Sequence, residues 1–339
     1  MEKINNIEIS NFKSIKHLKI NDCNRINVFI GMPNAGKSNI LEALGLFGSL
    51  AEKSNQLVRY NKNEELFFEG NIFSVIDIQI NELMLQIIDK KNKIIRTGFS
   101  NYKEIQITKM GFNDDLYYGY RKINKKELGP VYDVNELKQL KYFNFNKEIE
   151  LNNVFKHDFT KYSLDYSLGN LISRVPELRE EVNKLFKQNN LKLLIDKSSN
   201  EIKIFKEYQD GTVFILPYNM IADTLQRLIF YKAAIMSNEN AVLLFEEPEA
   251  HCFEPYILEF TNSVKNNENG NQFFIVTHSD FIIQEFLRDE ESKKDTNIYL
   301  VNNVNGETKL KLLDKNKNED VYELGMNPFF NFENLWEAN

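Results

Sequence analysis

Gly31-Met32-Pro33-Asn34-Ala35-Gly36-Lys37-Ser38 spaces two glycines, a lysine and a hydroxyl as G-x-x-x-x-G-K-[ST], the pattern of a loop that wraps a polyphosphate. Glycines let such a backbone curl so that successive N–H groups, with the positive end of a following helix, face the phosphates. In that cradle Lys37 neutralises the β and γ oxygens and Ser38 coordinates magnesium. Some 200 residues on, Leu243-Leu244-Phe245-Glu246-Glu247-Pro248-Glu249 ends an apolar run in carboxylates. Glu246 reads as the carboxylate that reaches Mg2+ through water, and Glu247 as the general base that polarises the attacking water. Thr277-His278-Ser279 ends the next apolar run, and a histidine there can donate to a γ-phosphate or to the same water. Carboxylates also favour a helix start for electrostatic reasons alone. Three such motifs, each at the end of an apolar run, favour the chemical reading.

These residues meet only if the chain folds as a sheet whose strands end together. Residues 7–9 and 17–20 alternate, and residues 26–30 are apolar and β-branched up to Gly31. Beyond the loop, apolar residues at 40, 41, 44 and 47 have helical spacing, so the order is strand, glycine-rich loop, helix. Residues 241–245 and 272–276 are nearly all apolar, which suits strands buried on both faces of a mainly parallel sheet, with a helix over 255–264 between them. Residues 72–80 and 83–88 predict a hairpin around Asn81-Glu82, and residues 94–109 further strands. Pro176 and Glu177 mark the start of a helix running to Phe186, residues 202–205 and 213–216 predict a hairpin around Asp210-Gly211, and residues 222–236 predict a helix. The chain shows no internal repeat and no long heptad segment.

At 339 residues, the chain holds roughly two structural units at ~150 residues per domain. No apolar run approaches the ~18 residues of a membrane span, and the N-terminus lacks the apolar core of a signal peptide, so a cytoplasmic protein is expected. Cys23 and Cys252 are too few for a disulfide framework. The net charge of -7 conceals segregation: residues 90–147 hold 13 Lys and Arg against 6 Asp and Glu. Tyr102, Phe112, Tyr117, Tyr118, Tyr120, Tyr132, Tyr142, Phe143 and Phe145 interleave those charges, as on a surface for DNA or RNA. A strand-rich lobe with core aromatics and solvated lysines explains the pattern as well, and the segment contains no named motif in favour of nucleic acid.

Asn11-Phe12-Lys13-Ser14-Ile15, the phosphate loop, Glu246-Glu247-Pro248-Glu249-Ala250-His251 and Thr277-His278-Ser279, in this order and spacing, resemble the ABC-type ATPase heads of the RecF, SMC and OLD group. More narrowly they resemble compact bacterial AAA-like ATP-binding proteins related to OLD nucleases. The matching motifs lie in roughly the first 90 and last 120 residues. The resemblance implies an α/β P-loop NTPase fold of ABC-ATPase type, a mixed sheet core with an N-terminal antiparallel β region and an inserted, partly helical lobe. Residues 1–90 and 216–315 would form the head, 91–215 the inserted lobe and 316–339 a C-terminal tail.

The same resemblance assigns residues. Gly31, Asn34, Ala35, Gly36, Lys37, Ser38 and Asn39 become the Walker A loop, joined at ATP by Lys13 and Ser14. Glu246 and Glu247 become the Walker B pair, His278 the switch histidine, and the residues after Glu247 a D-loop at a dimer interface. ATP and Mg2+ are the implied cofactors. A signature motif from a second subunit closes such sites. Its best candidate here is Ile221-Ala222-Asp223-Thr224-Leu225-Gln226-Arg227, with Ala222, Asp223 and Thr224 as the contacts in trans. It departs from the family, which carries glycine where this chain has Ala222 or Thr224. Gln56 and Gln79 stand for the Q-loop glutamine by region alone.

OLD nucleases continue into a TOPRIM domain built on a Glu and an Asp-x-Asp site; here 61 residues follow His278 and no Asp-x-Asp occurs, so any nuclease is expected on a separate polypeptide. The resulting expectation is a slow ATPase that works as a homodimer, or a higher homo-oligomer, switched by Mg-ATP. Its setting would be nucleic-acid-linked, in genome maintenance or anti-phage defence, with a nuclease-like effector. The alternative is an ATP-gated scaffold with negligible hydrolysis. A transporter motor subunit fits the loop but not the Asn-Phe-Lys-Ser opening or the degenerate signature.

Overall fold

A computed structural model describes residues 3–51, 58–89, 116–122, 140–143, 168–187, 190–199 and 201–338. In chain order its first elements are β1 (Ile7–Phe12), β2 (Ile15–Ile20), β3 (Ile26–Ile30), α1 (Lys37–Ala51), β4 (Ile76–Ile80), β5 (Leu83–Asp89), β6 (Leu116–Lys122) and β7 (Leu140–Phe143). Next come α2 (Leu168–Arg174), α3 (Pro176–Lys187), β8 (Lys192–Ile195), β9 (Ile202–Glu207), β10 (Val213–Pro217), α4 (Asp223–Met236), β11 (Val242–Glu246), α5 (Glu254–Lys265) and β12 (Gln272–Val276). The chain ends in α6 (Asp280–Leu287), α7 (Glu290–Asp295), β13 (Thr296–Val304), β14 (Glu307–Leu312), α8 (Lys315–Glu323) and α9 (Phe332–Ala338). Two compact units result: residues 1–142, 241–246 and 272–339 in the first, residues 143–240 and 247–271 in the second. The segment 91–215 is therefore shared, with β6 in a sheet of the first unit.

The first unit is built on two sheets. A six-stranded sheet runs β14-β13-β3-β12-β11-β7, with β13, β3, β12 and β11 mutually parallel and β14 antiparallel to β13. Every residue of β3, β11 and β12 is buried, as their unbroken apolar runs require. The other sheet, β2-β1-β4-β5-β6, is antiparallel and follows the alternating pattern, with Ile7, Ile9, Ile76, Ile78 and Ile80 turned into the core. Helix α1 touches β11 and β12 of one sheet and β1 and β4 of the other, and its Ile40, Leu41, Ala43 and Leu44 complete a single apolar core.

The β4–β5 hairpin forms at Asn81 as expected, but β4 begins at Ile76 rather than at residue 72. Residues 71–74 turn instead, with Ser74 N donating to the Asn71 carbonyl at 3.0 Å. The strands expected over 94–109 lie outside the described residues. The β13–β14 hairpin is an addition to the sequence reading, turning on Asn305 and Gly306 at φ 53° and 84°. Residues 316–339 carry most of α8 and all of α9, with Phe332 and Leu335 buried.

In the second unit, β10-β9-β8 form an antiparallel sheet. The expected β9–β10 hairpin turns at Gly211, φ 81°, with Thr212 N donating to the Asp210 carboxylate at 3.0 Å. Helix α4 is buried along most of its length. Its Lys232, only 5% exposed, bridges Glu181 of α3 and Glu259 of α5 at 3.2 and 3.0 Å.

Tyr142 and Phe143, counted above among aromatics available to nucleic acid, are 6% and 1% exposed. The pairing of β7 into the six-stranded sheet turns them into the core, so they cannot stack on bases. Apart from β6 and β7, the rest of residues 90–147 lies outside the described residues. Among the described residues no helix is long and apolar enough to cross a membrane.

Candidate functional site

The register of the parallel strands brings the motifs of the first unit together. Val28 pairs with Ile275 and Ile275 with Phe245, so β3, β12 and β11 end side by side. Gly31, Thr277 and Glu246 thus leave the sheet along one edge, at the carboxyl ends of the strands, where open α/β sheets bind ligands.

The phosphate loop curls through Asn34 and Gly36, at φ 61° and 96°, before Ile40 N donates to the Gly36 carbonyl as α1 begins. Its glycines are also demanded from behind. A Cβ on Gly36 would collide with the Thr308 hydroxyl, and one on Gly31 with the Val301 carbonyl, both from the β13–β14 hairpin. The hairpin therefore backs the loop. Lys37 is 5% exposed, and its Nζ donates to the Gly31 and Met32 carbonyls at 2.8 and 3.0 Å, within the curl where phosphate oxygens would sit. Asn39 Nδ2 donates to Ser14 Oγ at 2.6 Å, Ser14 Oγ shares a hydrogen bond with Thr308 Oγ1 at 2.6 Å, and Thr308 N donates to the Ser14 carbonyl at 2.8 Å. Lys13 pairs with Glu42 of α1 and donates to the Arg59 carbonyl at 2.7 Å.

Glu246 ends β11 almost buried. Its Oε1 accepts from Arg59 Nη2 at 3.2 Å and its Oε2 accepts from the Tyr142 hydroxyl. Arg59 Nε also reaches the fully buried Glu42 at 2.7 Å, so two carboxylates share the cations Arg59 and Lys13. Burial, followed by the charge of Glu246, pushes the Tyr142 phenol well above its ordinary range, and it remains a proton donor. Burial works against the Arg59 charge, yet Glu246 and Glu42 outweigh it and raise its pKa. His278 is exposed at the end of β12, with its ring against Phe329 at 6.3 Å. Thr277 beside it is fully buried and accepts from Ser279 N at 2.9 Å, and Ser279 caps α6. Ser38 and Glu246 offer a hydroxyl and a carboxylate, hard oxygens that suit Mg2+, which draws its remaining ligands from phosphate and water.

Glu247 and the signature candidate belong to the second unit. Glu247 is half-buried at φ 44° and opens a tight loop in which Ala250 N donates to its carbonyl at 3.0 Å. Ala222 is exposed at the N-cap of α4 and makes no side-chain cap; Asp223 pairs with Arg227 at 3.0 Å, and Thr224 Oγ1 donates to the His251 carbonyl at 3.0 Å. Gln79 lies in the antiparallel sheet, where its amide donates to the Asn81 carbonyl at 2.9 Å. Gln56 lies outside the described residues. Arg59, Tyr142 and Thr308 were missed by sequence. Glu42 left one signal, a carboxylate amid the apolar residues of α1, which when buried demands cations.

Residues 2–227 match the AAA ATPase domain family. The chain belongs to that family. ATP binding and hydrolysis are the general activities this membership carries. The AAA ATPase is 25% identical over 342 residues to an ATP/GTP phosphatase of Helicobacter pylori, spanning 87% of this chain and 91% of that one. It is also 35% identical over 124 residues to an uncharacterised protein of Methanocaldococcus jannaschii, 35% of each chain. Its fold is similar to that of an SMC head crystallised with the C-winged helix domain of ScpA, with a TM-score of 0.52 and 14% identity over 93% of this chain and 98% of that one. The α/β P-loop ATPase fold of the ABC and SMC heads, with mixed sheet core and helical lobe, is thereby shown.

Proposed function

We propose that this AAA ATPase is a switch in which Mg-ATP joins two copies of the chain head to head and slow hydrolysis releases them. One observation carries the reading: the register of β3, β12 and β11 gathers the phosphate loop, Glu246 and His278 at one sheet edge. Lys37 and the backbone N–H groups of residues 31–36 hold the β and γ phosphates, with Lys13, Ser14 and Asn39 alongside. Ser38 would hold Mg2+ directly and Glu246 through water, and the ion when bound supplies positive charge to the phosphate oxygens. Glu247 takes the proton of the attacking water, and His278 donates to the γ-phosphate. The backbone N–H groups of Ala222, Asp223 and Thr224 in the second copy close the site at the N-terminus of α4.

The motif resemblance to OLD-related proteins suggests nucleic-acid-linked work, in genome maintenance or defence against phage, through a separate nuclease-like effector. An SMC head crystallised with a domain of another protein is a precedent for a head that takes a partner. DNA or RNA would be engaged through residues 90–147. A second reading, an ATP-gated scaffold, is favoured by Asp223, a carboxylate in the first turn of the helix meant to face phosphate.

Light scattering and phosphate release on wild type and Glu247→Gln test the proposal. In Mg-ATP the variant should hold twice the mass of one chain and release phosphate about 10²- to 10⁴-fold more slowly. Equal release by the two proteins refutes the base assignment, and negligible release by both leaves the scaffold. An unchanged mass in both refutes the switch.

A further inference from the structure

The motif names Glu246, but the groups that hold its carboxylate come from outside every motif. Arg59 and Tyr142 each take one oxygen, and they are unlike donors. The Arg59 side chain is 64% exposed and divides its guanidinium between Glu246 and Glu42, so its hold is screened and shared. It also offsets the negative charge that a cation would seek. Tyr142 is buried in β7, at the sheet edge next to β11, and carries a neutral hydroxyl on a rigid ring. A phenol fixes the direction of a carboxylate without cancelling its charge.

We propose that Tyr142 is a positioning residue that aims the Glu246 carboxylate at nucleotide-bound Mg2+. The inference rests on the reading of Glu246 as the metal carboxylate. Carboxylates and imidazoles that ligate metals are oriented by such outer partners, whose loss costs about 10- to 100-fold in metal affinity. The assignment also gives Tyr142 a role unrelated to nucleic acid.

The test is ATP binding to the full chain by calorimetry, over a Mg2+ series and in EDTA, for wild type, Tyr142→Phe, Glu246→Gln and the double variant. Tyr142→Phe removes one oxygen atom. It should raise the half-saturating Mg2+ concentration about tenfold, leave affinity in EDTA unchanged, and add nothing to Glu246→Gln. Wild-type Mg2+ dependence in Tyr142→Phe, beside a shifted Glu246→Gln, overturns the role of Tyr142 alone. An equal loss with and without Mg2+ makes Tyr142 merely structural and also overturns it. If Glu246→Gln itself leaves Mg2+ dependence unmoved, the metal reading of Glu246 fails first.

Discussion

Two helices of this protein begin where the proposed function puts phosphate, and they begin differently. Helix α1 follows a loop curled at Asn34 and Gly36, carries Lys37 at its start and has no acidic residue in its first turn. Helix α4 starts at Ala222, without a side-chain cap, and carries Asp223 in its first turn. Both ends present backbone N–H groups and a positive dipole. At α4, however, Asp223 already sits in that field, tied to Arg227. Helix α1 is thus equipped to hold a polyphosphate alone. In the proposed switch, helix α4 would add only to phosphate held elsewhere, as a signature helix acting in trans would.

The strongest way to break the contrast is at α1. Lys37→Ala removes the buried cation of the loop and should cost about 3 kcal/mol or more in ATP binding, a hundredfold or greater. Calorimetry showing unchanged affinity would remove α1 from the phosphate site. At α4 the comparable cation is architectural. Lys232→Ala strands Glu181 and Glu259 and should lower stability by up to about 3 kcal/mol, discounted because both partners are partly exposed. Lys232→Met keeps the apolar stem but strands the same two carboxylates, so it should lose nearly as much; a urea melt of Lys232→Met that matches wild type would show that packing, not pairing, holds α4. The smallest effect is expected from Asp223→Asn, which removes a repelling charge worth about 0.3–1 kcal/mol at a helix end. It should tighten ATP-driven association about two- to fivefold, and weaker association would make Asp223 a contact rather than an obstacle.

The contrast also shows why some of this protein was legible in its sequence. The phosphate loop, Glu246-Glu247 and Thr277-His278-Ser279 are contiguous, and β3, β11 and β12 are unbroken apolar runs, so residue order alone reveals them. Arg59 and Tyr142 lie 187 and 104 residues from Glu246, and Thr308 lies 294 from Ser14. Nothing local marks them; the pairing of β7 delivers Tyr142 and that of β14 delivers Thr308, while Arg59 lies in neither strand. In the basic segment Tyr142 fitted both a nucleic-acid surface and the core of a strand-rich lobe, and its burial in β7 agrees with the core reading. The β13–β14 hairpin carried an Asn305-Gly306 turn signal, but the asparagines of β13 broke the apolar pattern. One of them, Asn297, is almost buried and is satisfied by the Asp22 carbonyl and the Tyr299 hydroxyl. Strand β8 is four residues long and half exposed, too short to show a period.

The central claim is that ATP turnover needs two chains, one supplying the phosphate loop and the other the end of α4. Phosphate release per chain, measured at saturating Mg-ATP over a wide range of chain concentrations, tests it most directly. The account predicts a specific rate that climbs with chain concentration and levels off as association saturates. A specific rate that stays constant down to concentrations at which light scattering finds only single chains would contradict it.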